Sequence, residues 1–300
     1  SATSITPKHS GKSAIDPDGD SCPGVLHPLR AVRKGLSVAD LRAGGAPRGG
    51  VAPQTRKLHP LRALCRGVSD RLRAHEGFPP ERLHAFDRRD LPTPEQVELL
   101  LAVRRSNRAL SDRPVPPEWL GRIIAAADRA PTASNARELG YTLVTDPERL
   151  REVTEYTLRI FRKLERLLSN PLVKPWLKPL MPGAYRYLPV FARLRREYAE
   201  GRDRILRGAT ALLFIHAPRA SRFGVEDANL ACQNASLMAE ALGVSQIYMG
   251  FVLTAVRQDR RKRLNRMLGL QGRRIGAVLA FGMPEFLYPN YIDRDPAPRN

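Results

Sequence analysis

The first 75 residues hold no Phe, Tyr or Trp and no Glu, while glycine and proline recur, as in Ala43–Gly50 and Ala52–Pro53. Such a stretch buries too little apolar surface to offset the entropy of ordering it. Any core must therefore come from the remainder. From Glu76 the composition becomes ordinary for a globular protein, and Phe78 is the first aromatic residue. The expected organisation is a loosely packed or disordered basic segment over 1–75, a linker over 76–92 and one globular domain over 93–300.

With 300 residues, 42% hydrophobic and 27% charged, the chain is neither collagen-like, a coiled coil nor wholly disordered. No run approaches the eighteen apolar residues of a membrane span, and Asp16, Asp18 and Asp20 stand where a secretory signal would carry its apolar centre. A cytoplasmic protein without a membrane partner is expected. Cys22, Cys65 and Cys232 are odd in number and widely spaced, which excludes a disulfide framework and gives no metal-ligand spacing. The net charge of +20 would attract phosphates or nucleic acid. Zinc-finger spacing, RNP-type aromatic motifs and a helix-turn-helix pattern are all missing, which argues against a nucleic-acid-binding protein.

Within 93–300, Thr93, Pro94 and Gln96 form a capping box and first-turn proline for a helix to about Arg105. Pro117 opens a second helix, with Leu120, Ile123, Ile124 and Ala127 on one face. Strands are expected at 140–145, 211–217, 246–252 and 275–282. Long helices are expected at 147–168 and 225–242, the latter lined by Ala228, Ala231, Cys232, Ala235 and Ala239. A charged helix should cover 255–268. Five prolines between Pro171 and Pro189 suit an irregular lid or a pair of short helices. The layout is α+β, with helices around a small, mostly antiparallel sheet.

Two segments carry the chemistry. Arg104, Arg105, Ser106, Asn107 and Arg108 place three guanidiniums and a hydroxyl at a helix end. Guanidiniums bind phosphate through paired, charge-assisted hydrogen bonds, although a solvated basic helix end has the same spacing. Pro131, Thr132, Ala133, Ser134 and Asn135 bring an amide able to donate and accept, or simply a capped turn. In order, followed by Tyr141–Thr145, by Gln233, Asn234, Glu240, Gly243 and Gly250, and by Gly282, Met283 and Pro284, these segments resemble the FMN-dependent nitroreductase family over about residues 95–290. A helix led by Asp227 and a turn at Gly250 belong to the same pattern.

The resemblance implies a nitroreductase-like fold and a homodimer with FMN at the subunit interface. Arg104, Arg105, Ser106 and Arg108 would hold the phosphate and ribityl chain. Pro131, Thr132, Ala133 and Asn135 of the partner subunit would line the isoalloxazine, with Gly250, beside Tyr248 and Met249, near the ring. Arg294 or Arg299 would complete the phosphate site. The reaction implied is ping-pong transfer from a reduced donor, NAD(P)H, to an aromatic acceptor such as a nitroarene or quinone, with the segment 171–189 shaping acceptor choice. The family's N-x-Q-P-W continuation is replaced by Asn135, Ala136, Arg137, Glu138, Leu139, which leaves the pyridine-ring contacts open, as does a same-fold flavoprotein with another reaction. Flavin chemistry needs no side-chain nucleophile or metal. The chain has no HExxH, GxSxG or P-loop, its six histidines show no ligand spacing, and His216 reads as strand-end packing.

Residues 26–31 and 58–63 both read LHPLRA, with Gly35 and Ser37 matched by Gly67 and Ser69. Nothing in the hexapeptide chelates. Shifted by one base, a Leu or Val codon ending in TG before C or T encodes Cys. Such pairs begin at Leu26, Leu29, Val32 and Leu36, and again at Leu58, Leu61, Leu64 and Val68. Both sets match the CxxCxxCxxxC run of [4Fe-4S] ferredoxins. The segment thus resembles, out of frame, the ferredoxin domain of one nitroreductase subgroup. As translated it offers only Cys22 and Cys65, so no Fe-S cluster is expected in this chain.

Overall fold

The computed structural model describes residues 2–5, 84–180 and 182–293. The chain separates into two units, residues 92–300 together with 1–11, and residues 12–91. In the second, Asp87 accepts a hydrogen bond from the backbone N–H of Arg89 and caps a single 3-10 turn, Arg88–Asp90. Both LHPLRA copies lie outside the described residues.

The larger unit is built on one antiparallel sheet of β1 (Ala2–Ile5), β2 (Gly140–Val144), β3 (Ala211–Pro218), β4 (Ser245–Tyr248) and β5 (Arg273–Gly282), ordered β1-β2-β3-β5-β4. The expected loosely packed segment thus departs at residues 2–5, where the backbone adds an edge strand in register with β2, Ile5 opposite Tyr141. A short stretch with β-branched Thr3 and Ile5 is enough once an open edge is on offer.

Along β3 every residue from Ala211 to Ala217 is buried, because both faces are covered. Leu212 and Phe214 point into one core and Ala211, Leu213 and Ile215 into the other, as the two-residue strand period requires. The first core is closed by α3 (Pro147–Ser169), α6 (Leu188–Ala199) and α8 (Gly250–Gln258), with Phe161 stacked on Phe191 at 4.3 Å between centroids. The second is closed by α2 (Pro117–Asp128) and α7 (Gly224–Ala241). The alanine face of α7 allows close approach. Opposite Ala228, a Cβ added to Gly276 would fall 2.6 Å from the alanine methyl. Gly276 also sits at the bulge where the β3–β5 register shifts.

α1 (Pro94–Val103) has the expected capping box, with Thr93 accepting from the N–H of Gln96 and Gln96 accepting from that of Thr93. The proline-rich stretch forms two short helices, α4 (Lys174–Leu180) and α5 (Pro182–Arg186). Two boundaries differ from expectation. The strand expected to reach residue 252 stops at Tyr248, because Val252, Leu253 and Val256 recur at helical spacing and enter the first core as part of α8. The charged helix expected over 255–268 is broken. Asp259 ends α8, and its carboxylate accepts from the N–H groups of Arg261 and Arg263, starting α9 (Arg263–Met267) afresh after a left-handed Lys262. Among the described residues no helix is long and apolar enough to cross a membrane.

Candidate functional site

The Arg104–Arg108 segment leaves α1 and runs beside the outer strand of the sheet. Ser106 bridges Gln246 of β4 in parallel, and the buried Gln246 amide donates to the carbonyl of Arg105 at 3.0 Å. Asn107, also buried, donates to the carbonyl of Phe286, and Leu110 bridges Pro284. The basic segment is therefore stitched into the sheet rather than left as a solvated helix end.

Its side chains diverge. Arg108 opens onto a cavity of about 900 Å³ that also receives Tyr248, Met249 and Gly250 from the turn after β4. The walls are largely apolar, with Leu164 and Leu168 from α3, Leu177 from α4, Phe191 from α6 and Phe251 from α8. Arg105 is half-buried with its guanidinium stacked 4.3 Å above the ring of Tyr288, a cation–π contact. Arg104 faces α7, near enough to Glu240 to favour its charge; burial nevertheless raises the Glu240 pKa. Cys232, on the same helix, is pushed up to about 12 by burial, so it supplies no thiolate. Of Arg104, Arg105, Ser106 and Arg108, Arg108 is the one that lines the cavity.

The second segment is held apart from it. Asp227, buried near the start of α7, accepts from the N–H of Ala133 at 3.0 Å, and Thr132 accepts from that of Arg137. Ser134 and Asn135 both take φ of 53°, a left-handed conformation that costs free energy in residues other than glycine. Pro131 and Asn135 are exposed, and none of Pro131–Asn135 lines the cavity of its own chain. Arg294 lies outside the described residues.

Two basic residues of the cavity escaped the sequence reading. Arg204 and Arg207, from the connection between α6 and β3, line the same cavity as Arg108. The signal was available in the run Arg202, Asp203, Arg204, Ile205, Leu206, Arg207, Gly208 immediately before a buried strand, but no spacing rule marks such a run as a site.

The profile of the Nitroreductase family matches residues 101–283. The chain belongs to the nitroreductase family. It is an oxidoreductase of that type with a nitroreductase-like fold, as the sequence resemblance implied. A relative from Archaeoglobus fulgidus, whose name assigns it NADH dehydrogenase or NAD(P)H nitroreductase activity, is 23% identical over 197 residues, 64% of this chain and 87% of its own. Among solved structures, the FMN-bound nitroreductase of Desulfitobacterium hafniense DCB-2 matches with a TM-score of 0.51 at 19% identity, covering 68% of this chain and 96% of its own. An FMN-dependent nitroreductase of Clostridium difficile R20291 matches with a TM-score of 0.50 at 17% identity, over 69% of this chain and 100% of its own.

Proposed function

We propose that this nitroreductase-family protein binds FMN and passes reducing equivalents from NAD(P)H to a small aromatic acceptor, a nitroarene or quinone, in a ping-pong cycle, as a cytoplasmic homodimer. The observation that carries the reading is the convergence of Arg108 and the Gly250 turn, far apart in sequence, on one large apolar cavity. Gly250 has no positive φ, and a Cβ there would meet nothing within 4 Å. Neither strain nor crowding inside the chain calls for glycine at that position. Its bare backbone suits the close approach of a flat ring.

FMN, when bound, supplies hydride acceptance and donation; binding, orientation and charge come from the protein. In this reading Arg108, with Arg104, Arg105 and Ser106, holds the phosphate and ribityl chain, joined by Arg294. Gly250 borders the ring, and Pro131, Thr132, Ala133 and Asn135 of the partner subunit cover it. The turn fixed by Asp227 is displayed outward, as a contribution to a neighbouring site requires. A homodimer is supported by exposed apolar surface. No residue of α1 is buried, and Val97 and Leu101, one helical turn apart, are 41% and 51% exposed. Phe286, Leu287 and Ile292 are also exposed. Exposed apolar side chains in this number are what an association face would cover. The short helices α4 and α5 border the cavity through Leu177 and Ala184, where they can exclude water and select the acceptor.

The test is a visible spectrum of the purified protein before and after NADPH, then after a quinone. Flavin bands that fade and return are the expected result. A preparation that stays colourless after incubation with excess FMN and gel filtration would overturn the reading.

A further inference from the structure

The cavity carries more positive charge than its own chain neutralises. Arg204 is paired with Glu197 at 2.6 Å. Arg108 and Arg207 have no ion pair or hydrogen-bonded side-chain partner among the described residues. Asp203 lies close to Arg207, but its oxygens already accept from Thr154 and from the N–H groups of Ile205 and Leu206. Arg207 is half-buried, and desolvation together with Arg108 and Arg204 makes its charge harder to hold. Its backbone is also left-handed, with φ of 59°, ahead of Gly208 at 78°. Like charges crowded on the lining of an apolar cavity, one of them on left-handed backbone, are arranged for a ligand rather than for folding.

A neutral apolar ligand would leave these guanidiniums unanswered, and a small inorganic anion would leave the wall of Leu164, Leu168 and Phe191 unfilled. We propose that the cavity takes an amphipathic organic anion, its aromatic or branched body against that wall and its carboxylate, sulfonate or phosphate head on Arg207 and Arg204. That such an anion is the flavin's reaction partner rests on the oxidoreductase reading; the class of ligand does not. Arg204 and Arg207 come from the α6–β3 connection, separate from both the Arg104–Arg108 segment and the Gly250 turn, which favours the acceptor over the cofactor's own phosphate.

The test is isothermal titration of the FMN-incubated protein with 2-naphthalenesulfonate and its neutral analogue naphthalene-2-sulfonamide, for the natural chain and Arg207→Gln. The anion should bind the natural chain more tightly than the sulfonamide. Arg207→Gln should weaken the anion about tenfold or more, the loss of a charge-assisted contact, and leave the sulfonamide and the bound flavin unchanged. Unchanged sulfonamide binding also shows that the variant is folded. Equal affinity for the two probes in the natural chain overturns the inference. So does a variant that loses FMN while still binding riboflavin, since Arg207 would then belong to the cofactor's phosphate. A natural chain that takes up no FMN refutes the oxidoreductase reading instead, and the probe pair still decides this one.

Discussion

His216 offers a quantitative check on the packing of β3 against its neighbours. Its imidazole is 1% exposed, with Nδ1 facing the Nε of Arg273 and Nε2 3.0 Å from the hydroxyl of Thr142. A guanidinium can only donate, so Nδ1 must be the bare nitrogen and Nε2–H points to Thr142. Protonating Nδ1 would set two cations against each other in the interior. Burial, and then the charge of Arg273, accordingly lowers the pKa from 6.5 to about 4. Between those values the unfolded chain binds a proton that the folded chain refuses. Stability from this site is therefore complete above about pH 6.5, declines as the pH falls, and stops declining below about pH 4. At about 1.4 kcal/mol per tenfold change in proton affinity, the full loss is roughly 3 kcal/mol. The perturbation is His216→Gln, which keeps an amide for Thr142 and Arg273 and cannot titrate. Urea unfolding at about pH 7.5 and about pH 4.5, followed by circular dichroism, should show the natural chain losing roughly 2–3 kcal/mol more than the variant. Equal losses in the two proteins would refute the reasoning, because every other acid-sensitive group is common to both.

Three more outcomes follow from the structure. Gly276→Ala should cost about 1–3 kcal/mol in urea unfolding, because its methyl would meet Ala228 across the sheet–α7 contact at 2.6 Å; a loss well below that would mean the layers can part freely. Val97→Glu with Leu101→Glu should convert a dimer into a monomer in light scattering, through charge on the exposed face of α1, and an unchanged mass would move the interface elsewhere. Arg108→Ala should weaken FMN by about tenfold or more relative to riboflavin in equilibrium dialysis. A parallel fall for both flavins would place Arg108 away from the phosphate.

The α+β layout and most element types were readable because the local signals are strong here: the alanine face of α7 at helical spacing, the unbroken apolar run of β3 and the capping box at Thr93 each point to one structure. The Ser245–Met267 region was harder to read. Val252 and Leu253 suit strand or helix by composition, and tertiary contact with the first core decided for helix. The break at Asp259 depends on one carboxylate capping two N–H groups, which no hydrophobic pattern encodes. At the candidate site the sequence marked Arg108 and Gly250, which meet at the cavity. It did not show that Arg105 would spend its guanidinium on Tyr288, since that residue lies 183 positions away in the chain. Nor did it mark Arg207, whose position at the cavity comes from a local left-handed bend.

The stitching of Ser106 to Gln246 has a bearing on biosynthesis. The hydrogen bond from Gln246 to the Arg105 carbonyl closes a loop of 141 residues, and the bond from Asn107 reaches 179 residues ahead to Phe286. Contacts of such sequence separation form late in folding. β4, which carries Gln246, pairs in the sheet with β5 alone among the described residues, so a chain cut before residue 273 would keep the partners of the Gln246 stitch but lose the strand that ties β4, and with it the Arg104–Arg108 segment, to the rest of the sheet.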